Sequence, residues 1–271
     1  MNAPTVQLMR ARQRQRRALL RAALAATGAS LLAGCDRIGS NETVAQVLKS
    51  ANKLNNALHK VVAPRAAMAQ EFTRADIAPS FRANGTTMPP DADYAELLAK
   101  GFADYRLEVG GLVENAAEYS LAELRAMPSR TQITRHDCVE GWSCIGQWKG
   151  VPLAHLLAAA RPTPEARFVV LRCFDSMDEP SAAEDAPDTE YYESIDLDEA
   201  THAQTILAYE LNDQPLPVAN GAPLRARIER QLGYKHAKYL RAIELVASFD
   251  DIRGGKGGYW EDEGYDWYAG I

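Results

Sequence analysis

Apolar and polar residues alternate along Tyr105-Arg106-Leu107-Glu108-Val109 and stop at Gly110-Gly111, which predicts a strand running into a turn. Apolar runs at residues 168–171 and 206–209, and the mostly apolar Ile243-Glu244-Leu245-Val246, predict three more strands, each short enough to be buried. In Ser120-Leu121-Ala122-Glu123 the serine and glutamate have the spacing of a reciprocal cap, so a short helix opens there. Further short helices are predicted at Leu153–Ala160 and at residues 196–200. Strands and helices in no regular alternation point to an α+β fold of mixed sheets, not to a doubly wound one. Residues 78–93, rich in Pro, Asn, Gly and Thr, predict irregular backbone lying over something else, and the globular core is expected to begin near Tyr105.

The start of the chain reads as an address. Six arginines, from Arg10 to Arg21, precede an apolar run at residues 22–32 that is too short to span a bilayer, and Leu32-Ala33-Gly34-Cys35 follows. That order is a lipoprotein cleavage box, in which the signal is cut before Cys35 and the cysteine sulfur is lipidated. Arg16-Arg17-Ala18-Leu19-Leu20-Arg21 resembles the twin-arginine signal, which exports folded proteins, although a merely basic leader would look similar. Asp36 after the lipidated cysteine resembles the signal that keeps lipoproteins on the periplasmic face of the inner membrane. The expected organisation is a signal peptide at residues 1–34, a partly helical lipidated tether at 35–77 and a single catalytic domain at 78–271. No transmembrane pattern follows the leader.

Composition adds a constraint on partners. With 46% apolar and 24% charged residues, the 271-residue chain can form one sizeable domain or two small ones. Its formal charge is −6, and removing the six arginines of residues 1–34, where no acid occurs, leaves −12. A body so acidic repels a nucleic-acid backbone and favours a basic patch on a protein partner. The charge is also segregated. Residues 175–200 hold eleven acids and no Lys or Arg, whereas residues 224–241 hold Arg225, Arg227, Arg230, Lys235, Lys238 and Arg241 against Glu229 alone. The basic stretch is either an anion site, helped by Gly221 and Gly233, or a face that pairs with the acidic segment.

Beyond Cys35 there remain Cys138, Cys144 and Cys173, with no Cys-x-x-Cys spacing, so zinc and iron–sulfur clusters are poor readings. A Cys138–Cys144 disulfide is conceivable in an oxidising compartment. The context of Cys138 points elsewhere. The stretch from Arg135 through His136-Asp137-Cys138-Val139-Glu140-Gly141-Trp142 to Ser143, then Asn220-Gly221-Ala222-Pro223-Leu224-Arg225, and finally Leu232-Gly233-Tyr234-Lys235 with Lys238 resemble the bacterial molybdopterin oxidoreductases of the sulfite-oxidase superfamily. The similarity runs from about Phe81 to Val246, with the motifs in the same order and at comparable gaps.

The resemblance implies a sulfite-oxidase-type fold and one molybdopterin carrying mononuclear molybdenum, with Cys138 as the only protein ligand to the metal. A soft thiolate suits a metal that cycles between oxidation states, and Arg135 and His136 are expected to favour the thiolate. By the same resemblance Asn220 and Arg225 hold the pterin and its phosphate, and His236-Ala237-Lys238 wrap the phosphate. Asn84 matches an upstream pterin-contacting loop, and Cys173 falls where methionine-sulfoxide-reductase-type relatives have a pterin-contacting threonine. Tyr191 lies where sulfite oxidases place an active-site tyrosine, though its acidic loop suits a surface tyrosine equally. Cys144, and Cys173 apart from that contact, read as inert buried thiols. Trp142 and Trp148 are expected to pack over the pocket as core.

The implied activity is oxygen-atom transfer on a small oxyanion or a sulfoxide. Neither a haem-attachment Cys-x-x-Cys-His nor a dinucleotide fingerprint occurs, so electrons would pass to or from a cytochrome or a membrane haem protein. The competing class is a non-catalytic lipoprotein that keeps the fold as a binding module. Sulfite oxidation and sulfoxide reduction stay open.

Overall fold

The computed structural model describes residues 66–177 and 190–271, all within one compact unit, His59–Ile271. The leader, Cys35 and the tether up to residue 65 lie outside the described residues, as does part of the acidic run at 178–189.

Two sheets carry the fold, the first mixed and the second antiparallel throughout its described pairings. The first has the order β2 (Ala117–Ser120), β1 (Arg106–Gly111), β10 (Leu240–Val246), β5 (Phe168–Ser176), β6 (Glu190–Asp196), with β1 and β10 parallel and the other neighbours antiparallel. The second runs β3 (Arg130–Cys138), β4 (Trp142–Pro152), β7 (Thr205–Leu211), β8 (Gln214–Pro215), and β9 (Arg225–Ile228) also pairs with β7. Five short helices occur among the described residues: α1 (Ala92–Ala99), α2 (Leu121–Ala126), α3 (Leu153–Ala160), α4 (Leu197–Ala200) and α5 (Tyr259–Asp262). This is the α+β architecture that the irregular alternation predicts.

The local causes are visible in the caps. Ser120 N donates to Glu123 Oε2 at 2.8 Å and Glu123 N returns a bond to Ser120 Oγ at 3.2 Å, so the reciprocal cap opens α2 as its spacing requires. Asp196 caps α4 and Asp91 caps α1, each accepting from the backbone three residues on. The main core joins Leu107, Leu124, Leu153, Leu156, Val169, Leu171, Ile243 and Leu245. Each such side chain contributes roughly 1.5–3 kcal/mol by leaving water.

Three expectations need correction. The core does not begin near Tyr105, because Tyr94 on α1 is fully buried and its hydroxyl donates to Ala222 O at 2.8 Å. Nor does packing change at 77/78. Phe72 N donates to Ile133 O at 2.8 Å and Ala69 N to Gln204 Oε1 at 2.8 Å, so the chain before residue 78 is already pinned to the second sheet. Irregular backbone does occupy residues 78–91, but Ala92 and Asp93 already belong to α1.

The β3–β4 hairpin has no counterpart among the predicted elements. Its inward positions on β3 are Gln132, Thr134 and His136, all buried, so the strand buries polar side chains and shows no apolar alternation. These groups are satisfied from β9 and the residues after it. Arg227 Nη1 meets His136 Nδ1 at 2.9 Å, and Gln132 Nε2 donates to Glu229 Oε1 at 2.8 Å. Arg227 in turn forks onto Glu229 at 2.9 and 2.6 Å, with its guanidinium 4.4 Å from the Trp148 ring centre. This buried polar layer ties the hairpin that carries Cys138 to the rest of the second sheet.

Candidate active site

Cys138 ends β3 and lines a cavity of about 180 Å³ together with Asn84, Tyr191, His236 and Lys238. Five positions from four separated stretches of chain thus meet. Glu140, Asp175 and the aromatic rings of Tyr234, Trp260 and Tyr265 complete much of the wall. Sequence reasoning singled out none of these five.

The remaining predicted residues lie elsewhere. Arg225 is fully buried behind the cavity, where Nη1 donates to Asn220 O at 3.0 Å and Nη2 to His236 O at 3.2 Å. It fixes the two backbone segments instead of lining the pocket. Asn220 is buried beside it and Ala237 is buried backbone. Cys173 is a free thiol in the main core and Cys144 a free thiol whose Sγ donates to Ser80 O at 3.6 Å. Arg135 points away, half exposed and paired with Asp137 at 2.9 Å. Trp148 is core, whereas Trp142 is only half buried, its indole donating to Glu140 at 2.9 Å.

Arg135 and His136 therefore do not favour the Cys138 thiolate. Burial pushes the Cys138 thiol above its ordinary value, opposed by a backbone hydrogen bond at Glu140 and weakly by Arg82. His136 cannot help as a cation. Burial and then the Arg227 charge hold its pKa well below the usual histidine value, and its Nδ1 accepts from Arg227. A metal bound at this sulfur would displace the thiol proton by itself.

The charge segregation resolves in both ways at once. Arg230 pairs with Glu199 at 2.9 Å, Lys235 with Glu193 at 2.6 Å, and Arg241 with Glu190 at 3.6 Å, which is the pairing of basic stretch with acidic segment. Arg227 pairs with Glu229. Among the described residues, Arg225 and Lys238 are the two cations of the stretch with no carboxylate within 4.0 Å. Burial, with Arg225 next, lowers the Lys238 pKa to about 7, and burial with Arg227 lowers that of Arg225 to about 9. Two buried cations raised in energy in this way are stabilised by an anion.

The same ground carries unpartnered polar atoms: Asn84 Oδ1, Asn220 Nδ2, Arg225 Nε, His136 Nε2 and His236 Nδ1 are buried without a hydrogen bond. Such groups cost stability unless a ligand meets them. Gly233 keeps the ground open, since a Cβ there would stand 2.6 Å from His136 Nε2. A soft sulfur donor, two uncompensated cations and a set of orphan hydrogen-bonding atoms fit a metal attached to a polar, anionic organic group.

Comparison with known proteins agrees with this donor set. Residues 95–251 match the family described as the oxidoreductase molybdopterin binding domain. The chain is 36% identical to the putative protein-methionine-sulfoxide reductase subunit YedZ1 of Azospira oryzae, over 94% of this chain and 87% of that protein. It is 33% identical to the protein-methionine-sulfoxide reductase catalytic subunit MsrP of Ralstonia nicotianae, over 86% of this chain and 68% of the relative. The crystal structure of the sulfane dehydrogenase SoxCD from Paracoccus pantotrophus is similar at 21% identity, with a TM-score of 0.45, over 54% of this chain and 39% of that one.

Proposed function

This chain belongs to the oxidoreductase molybdopterin-binding domain family and is a molybdopterin-dependent oxidoreductase, and from that premise we propose that it reduces methionine sulfoxide at one molybdenum–pterin held beside Cys138. The observation that carries the choice of substrate is the charge of the cavity. Lys238 is the one cation among its described lining residues, and that ammonium already faces the carbonyl oxygens of Asn84 and Thr86, while Glu140 and Asp175 bring carboxyls and Val139, Met177, Trp260 and Tyr265 make much of the rest apolar. With Lys238 committed to the cofactor phosphate, the described lining offers no further cation to a sulfite dianion beside the Glu140 and Asp175 carboxyls, whereas a neutral thioether sulfoxide needs none. The names of the two relatives point the same way.

The cofactor, when bound, supplies two-electron exchange coupled to oxygen-atom transfer. Cys138 offers the thiolate to the metal. Asn84, Lys238 and the buried backbone at His236 and Ala237 hold the phosphate end, with Asn220 on the pterin and Arg225 keeping these segments in place. Tyr191 lines the cavity with its hydroxyl resting on Tyr234 O, from which it can turn to hydrogen-bond the substrate oxygen. Purified protein should contain molybdenum and one pterin per chain. With a reduced viologen dye it should turn over methionine sulfoxide, and with ferricyanide it should leave sulfite untouched. Efficient sulfite oxidation without sulfoxide reduction would refute the substrate assignment, and an absence of metal and pterin would favour the binding-module alternative.

The same reading extends to location. Residues 1–34 are a signal removed on export, Cys35 carries the lipid, residues after it serve as a tether, and the enzyme works at the periplasmic face of the inner membrane with a cytochrome or membrane haem protein as electron partner. Support comes from the order of basic, apolar and small residues before Cys35 and from the lack of a second redox motif in the sequence. Replacing Cys35 by Ser behind a cleavable soluble signal should leave dye-coupled turnover unchanged and slow membrane-coupled turnover. Equal membrane-coupled rates would make the anchor irrelevant to electron delivery. In the lipidated form, Arg16→Lys with Arg17→Lys should strand the precursor inside the cell, and normal processing would remove the twin-arginine route.

A further inference from the structure

A second cavity, of about 300 Å³, is lined by Ser194, Asp196, Glu199, Lys235 and Trp267, and it shares no lining residue with the pocket beside Cys138. Between the two sits a buried charge cluster that the family motifs do not account for. Lys235 Nζ, itself in the wall of the second cavity, lies 2.6 Å from Glu193 Oε2 and bonds Glu261 Oε1 at short range. Both carboxyls are fully buried, and so is the ammonium. On the other side Tyr191 Oη, in the wall of the Cys138 cavity, stands 3.4 Å from Glu193 Oε1 while donating to Tyr234 O at 2.5 Å.

The charges in this cluster do not balance as drawn. One ammonium faces two carboxyls, and a surplus negative charge in so dry a place is very costly unless a proton neutralises it. Two oxygens are unsatisfied in the way a shared proton would correct. Glu261 Oε2 and Glu193 Oε2 are buried without a hydrogen bond, the latter close to Lys235 but off the direction in which that ammonium donates. They converge over Gly258, whose backbone bridges to Glu193: a Cβ there would lie 2.8 Å from Glu193 Oε2 and overlap Glu261 Oε2. The absence of a side chain at Gly258 is what lets the carboxyls meet.

We propose that Glu193 and Glu261 share one proton at neutral pH and relay protons from the Lys235 cavity to the hydroxyl of Tyr191 beside Cys138. Burial, opposed by Lys235 and reinforced by Glu261, pushes the Glu193 carboxyl well above the usual carboxylate range, and the proton belongs to the pair. Charged and titratable groups facing the pair are Lys235 from the turn Gly233–Lys235, Tyr191 and Tyr192 on β6, Cys173 on β5 and the Tyr234 ring, whose own hydroxyl donates to Asp266 O at 2.7 Å. The Trp267 indole packs 5.7 Å from the Lys235 ammonium.

The relay rests on the reduction argued above, which consumes protons: a sulfoxide, two electrons and two protons give a thioether and water. The redox partner would supply the electrons, which the bound cofactor would pass on. For each proton, the Tyr191 O–H bond breaks as its proton passes to the oxygen leaving the sulfoxide, and a new O–H bond forms on Tyr191 with the proton released by Glu193. Lys235 then gives a proton to Glu261 and is reprotonated by hydronium reaching it from solvent through the second cavity, which leaves water there. Tyr191, the pair and Lys235 each end as they began.

The test combines infrared spectroscopy with kinetics on the holoenzyme. Wild-type protein at neutral pH should show the C=O stretch of a buried protonated carboxyl, and Glu193→Gln and Glu261→Gln should each abolish it. Glu193→Gln should lower kcat for methionine sulfoxide by about 100-fold, the scale of one lost proton-transfer group, with KM and molybdenum content unchanged. Glu193→Asp should restore part of the rate and the band. Absence of the band in the wild type, or full turnover in folded Glu193→Gln, would overturn the relay while leaving the substrate assignment intact. A wild type that shows the band but reduces no sulfoxide would overturn the substrate assignment and the relay's role in it, and leave the shared proton standing.

Discussion

Lys238 Nζ donates to Asn84 O at 2.6 Å and closely to Thr86 O, fastening the irregular segment at residues 78–91 onto the turn that follows β9. Burial, aided by Arg225, holds its pKa near 7 instead of 10.5. Between those two values the unfolded chain binds more protons at this position than the folded one, so cofactor-free protein should gain stability as pH rises through that window. Lys238→Met should flatten the dependence, as denaturant titrations of the cofactor-free protein at several pH values would report. A bound phosphate reverses the pKa shift, so at pH 8 the proton that Lys238 takes up offsets the one that the Cys138 thiol releases, and cofactor uptake by Lys238→Met should release about one proton more than uptake by the wild type, which isothermal titration in buffers of different ionisation enthalpy can count.

Cys138→Ser should remove molybdenum without unfolding the protein. The side chain sits at the end of β3 beside the cavity and outside the main core, so packing loses little. Thermal stability of the cofactor-free forms should differ by no more than about 0.5 kcal/mol, the scale of substitutions away from special features. Metal analysis should show the loss, and molybdenum retained with wild-type turnover would count against Cys138 as the ligand.

Gly233→Ala tests the open ground above His136. The added Cβ would stand 2.6 Å from His136 Nε2 and 3.2 Å from Asp137 O, so the ring or the turn must give way. Overpacking of this kind costs roughly 1–3 kcal/mol. Because the displaced ring belongs to the layer beneath Cys138, pterin content should fall along with the melting temperature.

Legibility in the sequence followed chemistry. The strands at 106–111, 168–176, 205–211 and 240–246 bury apolar side chains, and their periodicity announced them. The hairpin that presents Cys138 did not announce itself, because Gln132, Thr134 and His136 are its inward residues and buried polar groups look like solvent-facing ones until their partners are known. Motif spacing identified Cys138, Asn84, Tyr191, His236 and Lys238, which line one cavity. It did not tell that the Arg225 fork holds two backbone carbonyls or that Arg135 turns to Asp137, since linear sequence does not distinguish a cation aimed into a pocket from one aimed at a backbone carbonyl or at solvent. Glu193 and Glu261 lie 68 positions apart, and only folding brings them to the same ammonium.

The Arg227–Glu229 pair decides whether the polar layer holds the hairpin or merely fills space. Both side chains are wholly buried, so Glu229→Gln leaves a guanidinium uncompensated and should cost roughly 3–5 kcal/mol. Replacing both with Arg227→Met and Glu229→Leu removes that charge, and for an isolated buried pair such an exchange is often neutral or better. Here the pair also serves His136 Nδ1, which would lose its partner, and Gln132 Nε2, which would keep only Gln204 O, so the double variant should recover only part of the loss. Urea unfolding of the two variants, with Gln132→Leu added to the double one, separates the contributions. Full recovery by the double variant alone would mean that the pair is a replaceable filler, whereas recovery only after Gln132 is also changed would show that the layer acts as one network under the strand bearing Cys138.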